Sequence, residues 1–131
     1  MESKHELGTR LRRKVFGDEM VDHMSATADE WREPWQRYVV EELWAGIWGR
    51  EGLSLKTRSL ITIGILAANY RPHELNLHIR GALNNGMTVE EIQEAFLQAS
   101  MYCGIGTGEM AARCLNDVLT GSLTEVLAKH A

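Results

Sequence analysis

A cation, an acid and a base recur at helical spacing in residues 71–86, RPHELNLHIRGALNNG. Arg71, Glu74 and His78 fall at the i, i+3 and i+7 steps of the roughly 3.6-residue helical period and share one face. A carboxylate one turn from an imidazole can orient it, or raise the population of its charged form. Histidine suits proton transfer at neutral pH because its ordinary pKa is about 6.5. Gly81, one turn further along, leaves room for a small molecule to approach. The same pattern also describes a solvated ion pair on a surface helix, and residue types alone leave both readings open.

Several helices must position that face. Pro72 suits a first helical position, where its missing N–H costs nothing, and Asn84, Asn85 and Gly86 form a stop. Before them, residues 55–70 (LKTRSLITIGILAANY) are apolar nearly all round, which predicts a helix buried on most sides. Arg58 lies near its polar start, a poor place for a cation in the helix dipole. It therefore faces an anion, or pairs with Glu41 or Glu42. After the stop, Thr88 and Glu91 form a capping box opening a helix to about Cys103, with Ile92, Phe96, Ala99 and Cys103 inward. Gly104, Gly106 and Gly108 are expected to break it, and a last helix starts near Thr107. It carries Met110, Ala111, Cys114, Val118 and Leu119, with Gly121 and Ser122 interrupting it.

Upstream, residues 3–15 form an amphipathic arm with Leu7, Leu11 and Val15 at four-residue steps, and Arg10, Arg12, Arg13 and Lys14 as a solvated basic face. A short helix near 18–28 follows, then one from Pro34 to about Trp48. Trp35, Val39, Leu43 and Ile47 make one apolar stripe there, widened by Val40, Trp44 and Trp48. Such a tryptophan band divides between core and subunit contact. No strand pattern is present, so the fold class is all-α. The expected organisation is a single domain over 1–131: a helical arm 1–33, a core 34–119 and a helical tail 120–131.

Composition excludes other classes. A chain of 131 residues with 44% hydrophobic and 24% charged content is an ordinary globular domain. The formal charge of -4 argues against a nucleic-acid partner. Cys103 and Cys114 match no CxxC or zinc-ligand spacing and read as reduced thiols. The charged opening MESKHELGTRLRRK lacks the apolar stretch of a secretory signal. The longest apolar run, about 60–68, is broken by Thr62 and Gly64 and too short for a bilayer. A cytoplasmic location is expected, with no membrane partner.

The span from Gly52 to Gly106 resembles the carboxymuconolactone decarboxylase family, within the alkylhydroperoxidase D-like superfamily. The residues that carry the resemblance are Thr57-Arg58-Ser59-Leu60, Arg71-Pro72-His73-Glu74-Leu75, His78 and Ala82-Leu83-Asn84-Asn85-Gly86. Thr88, Glu90-Glu91-Ile92 and Tyr102-Cys103-Gly104 continue it. The resemblance implies an alkylhydroperoxidase D-like bundle around a central helical hairpin, assembled as a homo-oligomer, a hexamer or trimer. Redox members of the superfamily carry Cys-x-x-Cys-x-x-x-His. With their histidine on His78, Arg71 and Glu74 stand where the cysteines would be, so thiol chemistry is not expected. Gly106 departs from the proline usual in the decarboxylases, and Thr107 to Glu109 are atypical, which bears on substrate identity.

The implied reaction removes CO2 from the γ carbon of an unsaturated lactone bearing a second carboxylate, and the electrons flow through the C=C bond to the lactone carbonyl. That sink lies in the substrate, so no metal or cofactor is expected. The enzyme must hold a dianion, which suits Arg58 and Arg71. It must also protonate the α carbon, which suits His78 oriented by Glu74. Tyr102 supplies a pocket hydroxyl or packs. His73 faces away from His78 and reads as a surface or interface residue, Arg80 as solvated or paired across subunits, and Cys103 as a small buried residue. The partner is a small anionic lactone. Two other classes stay open: a lactone hydrolase, cyclase or isomerase on the same scaffold, and a non-catalytic oligomeric partner.

Overall fold

The computed structural model describes residues 1–121 and Glu125. The part of the expected 120–131 tail beyond these lies outside the described residues. The expected all-α class holds, with no strand among the described residues. Contacts group the chain into two compact units, Met1–Leu55 and Lys56–Ala131.

The first unit begins with α1 (Lys4–Phe16), whose N-cap Ser3 accepts a 3.0 Å hydrogen bond from the Glu6 amide. Gly17 ends it, and α2 (Asp18–Ala26) follows at once. After a short 3₁₀ turn (Glu30–Arg32), α3 (Glu33–Tyr38) runs on into a wider π-helical segment (Val39–Trp48). The expected single helix is thus two windings, and its two stripes have opposite fates. Val40, Trp44 and Trp48 are buried, whereas Trp35, Leu43 and Ile47 are exposed. Trp44 packs edge-on against Phe16 of α1 with centroids 5.1 Å apart and lies 5.1 Å from the Trp48 ring. Lys4 to Glu42 at 2.9 Å adds an exposed ion pair between the same two elements. The basic face of α1 is also more divided than its sequence suggests. Arg10 pairs with Glu2, Arg13 pairs with Asp18 and Asp22, and Arg12 is half-buried.

In the second unit, α4 (Leu55–Ala68), α5 (Pro72–Asn84), α6 (Val89–Cys103) and α7 (Ile105–Thr120) surround one core. Thr88 and Glu91 complete the predicted capping box in both directions. Gly86, at φ 94°, closes α5 as foreseen: its amide donates to Leu83 O and the Met87 amide to Ala82 O, a Schellman motif. Of the three glycines expected to break the next helix, only Gly104 does so. Gly106 and Gly108 lie inside α7. Gly108 serves close packing instead, since a Cβ there would sit 2.8 Å from Ser100 Cβ, across the α6–α7 hairpin.

The expectation for α4 needs correction. It buries one stripe, Ser59, Ile63 and Ala67, and leaves Leu60, Ile61 and Ile65 largely exposed. A helix apolar all round has no intrinsic inner side, so its neighbours choose which stripe is covered.

The tightest approach lies in the first unit, where Gly8 meets the π-helical segment. A Cβ at Gly8 would stand 2.0 Å from Val40 O, which is backbone and cannot swing aside. Gly8→Ala should therefore lower the unfolding free energy by about 1–3 kcal/mol, the usual range for overpacking. Urea denaturation checks this, and an unchanged midpoint would refute the close packing of α1.

Candidate active site

The helix α5 is clamped at both ends. At its head, α4 closes in a second Schellman motif, with the Tyr70 amide on Ala67 O at 3.1 Å and the Arg71 amide on Leu66 O at 3.0 Å. Tyr70 takes the left-handed position at φ 53°. A side chain there costs on the order of 1–2 kcal/mol, and the turn delivers Arg71 directly to the N-cap of α5. At its tail, Asn85 Nδ2 donates to the fully buried Ser59 Oγ at 2.9 Å. That bond ties the end of α5 to the start of α4, next to Arg58. Leu75, Ile79 and Ala82 are completely buried in the core, which fixes the rotation of α5.

With that rotation set, Arg71 and Glu74 are exposed, and His78 is nearly buried on the same face. His78 keeps a little accessible surface, but its Nδ1 is fully shielded. Burial pushes the imidazole down to a pKa of about 4. The expectation that Glu74 raises the charged form is therefore overturned in the single chain. Desolvation governs, and His78 is neutral at pH 7. The Glu74 side chain forms no hydrogen bond among the described residues, so the acid–imidazole link that the spacing allows is not made. Arg58 is half-buried with its Nε shielded. Tyr102 stands 81% exposed at the end of α6 and makes no hydrogen bond among the described residues.

Other groups differ from expectation. Cys103 is exposed, and it is Cys114 that is buried, its thiol 3.7 Å from Pro72 O. Burial, with the Asp117 charge, pushes the Cys114 thiol up to about 11. Arg80 and His73 are both half-buried in the single chain, with buried Arg80 Nε and His73 Nδ1 unpartnered among the described residues. The sequence reading missed Asn76, which is 2% exposed with both amide atoms likewise unpartnered. An amide between Leu75 and Leu77 in an otherwise apolar run was the available signal. Ser59 carries a similar one, being the polar member of an i, i+4, i+8 stripe with Ile63 and Ala67. No group of three or more His, Cys, Asp or Glu among the described residues is arranged to hold a metal ion.

Comparison with known proteins places this helical unit. Residues 33–117 match the carboxymuconolactone decarboxylase family. The 4-carboxymuconolactone decarboxylase of Acinetobacter baylyi is 32% identical over 117 residues, 89% of this chain and 87% of its own. The nitrosuccinic acid decarboxylase of Metarhizium robertsii is 42% identical over 97 residues, 74% of this chain and 68% of its own. An uncharacterised 15.0 kDa protein of Paracoccus denitrificans is 33% identical over 101 residues, 75% of each chain. The chain belongs to the carboxymuconolactone decarboxylase family. Its activity is that of a carboxy-lyase.

The buried imidazole has a consequence for stability. Folded His78 takes its proton near pH 4, whereas the unfolded chain takes it near the usual ~6.5. The unfolded state thus binds more protons in that window, and stability falls as pH drops through it. Between pH 7.5 and pH 5.5 the loss from this group should be about 1.4 kcal/mol. Chemical denaturation of the wild type and His78→Gln at both pH values checks it. The variant should lack this increment, and parallel losses in the two proteins would show that His78 is not desolvated.

Proposed function

We propose that the chain is a cofactor-free decarboxylase of a small dianionic acid whose departing carboxylate lies on a carbon joined to an electron sink. The first reading is an unsaturated lactone like 4-carboxymuconolactone. Similarity to the Acinetobacter enzyme across most of both chains supports it. The desolvated His78 on α5 is the single observation that carries the chemistry. Breaking the C–CO2 bond sends its electron pair through the C=C bond to the lactone oxygen, and CO2 leaves. The dienolate collapses as His78 gives its proton to the α carbon.

A neutral His78 cannot give that proton until it has taken one up. A dianion bound against it favours the imidazolium and raises its pKa, so substrate binding itself charges the acid. Glu74, exposed one turn away and making no bond to the ring in the single chain, turns onto it only once substrate has charged the imidazole. Arg58 and Arg71 hold the carboxylate that remains, through paired N–H donors. The Tyr102 hydroxyl serves the lactone oxygen.

A second reading follows from the 42% identity to the nitrosuccinic acid decarboxylase. In nitrosuccinic acid the sink is a nitro group on the carbon that loses CO2. The electron pair moves to the nitro oxygens, giving a nitronate that is then protonated at carbon. The demands on the protein are the same: hold two negative charges, stabilise oxygen, deliver one proton. CO2 release from 4-carboxymuconolactone and from nitrosuccinate, compared as kcat/KM, decides between the readings.

His78→Ala should lower kcat by about 10²–10⁴-fold, the range for general acid catalysis. A variant keeping more than roughly a tenth of wild-type kcat would remove His78 from the role. Arg71→Ala should act mainly by raising KM, since it grips an anion present in ground and transition states alike.

The assembly is part of the proposal. Leu60, Ile61 and Ile65 on α4, with Trp31, Trp35 and Tyr38 in the first unit, are exposed apolar groups. Monomers seldom leave large apolar patches open to water. A closed, symmetric homo-oligomer, a trimer or hexamer, would cover them and enclose the exposed Arg71 and Tyr102. Light scattering should give three or six times the 14.8 kDa chain mass. A monomer at micromolar concentration would refute the assembly.

A further inference from the structure

Arg12 of α1 is a half-buried cation without a counter-charge among the described residues. Its only polar contact among the described residues is Nη2 to Met24 Sδ at 3.9 Å, a weak acceptor at long range. The neighbouring cations are satisfied. Arg13 holds Asp22 at 2.8 Å and Asp18 at 3.0 Å, and Arg37 holds Glu33. Burial, and the charge of Arg13 beside it, both lower the hold of Arg12 on its proton. A guanidinium partly withdrawn from water with no anion beside it is costly, and its planar fork matches a carboxylate in two-point contact.

Arg12 also faces an open space. It lines a cleft of about 540 Å³ in the first unit, bounded by α1, α2 and α3. That volume lies within the ~300–1,000 Å³ of small-molecule sites. Val21 and Val40 give the cleft an apolar side, and Thr9 and Ser25 line it with hydroxyls. Asp29, Glu30 and Glu33 line it as well. Arg13 and Arg37 line it too, but they and the carboxylates of Asp29 and Glu33 are taken up in ion pairs, which leaves Arg12 to take a single negative charge.

We propose that this cleft binds a small monocarboxylic acid with an apolar body, its carboxylate on Arg12 and its body against Val21 and Val40. All of its residues lie in the first unit, and the ligand differs in charge from the dianion assigned to the α5 face. The site stands whether or not the proposed reaction does.

Isothermal titration with benzoate tests it on the intact protein. Wild type should bind one benzoate per chain, and phthalate, with its second carboxylate, should bind more weakly. Arg12→Met, which keeps the bulk and loses the charge, should bind benzoate at least about tenfold more weakly, as expected for a lost charge-assisted hydrogen bond. Arg12→Lys should retain part of the affinity and decides the matter if the Met variant does not fold. His78→Gln should bind as wild type does. No binding at millimolar benzoate, or equal binding by both Arg12 variants and wild type, would overturn the proposal. So would binding lost in His78→Gln but kept in Arg12→Met, which would put benzoate on α5. A change of oligomeric mass in Arg12→Met, with no benzoate uptake by wild type, would overturn it in favour of a subunit contact.

Discussion

The burial of Leu75, Ile79 and Ala82 along one side of α5 is the constraint on which the second unit depends. These side chains are wholly withdrawn from water, and each contributes transfer free energy only while α5 keeps its rotation. The same rotation decides how much of His78 meets solvent and leaves Arg71 and Glu74 outside. The two clamps, a strained Tyr70 at the head and the bond from Asn85 to Ser59 at the tail, prevent sliding along α4. Preorganisation of this kind holds the Arg71, Glu74 and His78 face in place without flexible loops.

Desolvation then sets the electrostatic character of the face. A histidine on a helix surface beside a glutamate would carry charge at neutral pH for part of the time. Here the imidazole is neutral, because the low-dielectric surroundings penalise the ion. On the proposed reading, carboxylates of a bound dianion compensate that penalty, and charge on His78 depends on occupancy.

The two units treat unsatisfied groups differently. In the second, buried polar atoms of His73, Asn76 and Arg80 accumulate on α5. In the first, ion pairs neutralise Arg10, Arg13 and Arg37, whereas Arg12 has no carboxylate partner among the described residues. Apolar surplus occurs in both, on α4 and around Trp31 and Trp35. Buried charge without a partner and exposed hydrocarbon are both unfavourable in an isolated chain, so each points to something that binds.

The sequence by itself determined what is local. Caps and stops were legible at Thr88 with Glu91 and at Gly86, because these signals act through backbone groups a few residues away. The grouping of Arg71, Glu74 and His78 on one face was legible too, since helical periodicity alone imposes it. Tertiary structure decided what depends on neighbours far along the chain. It chose Val40, Trp44 and Trp48 over Trp35, Leu43 and Ile47 as core, and one stripe of an evenly apolar α4. It exposed Cys103, half-buried Arg12, and kept Gly106 and Gly108 within α7. It also made His78 neutral, because a pKa reports the solvation of a site, and solvation is set by packing that no local pattern encodes.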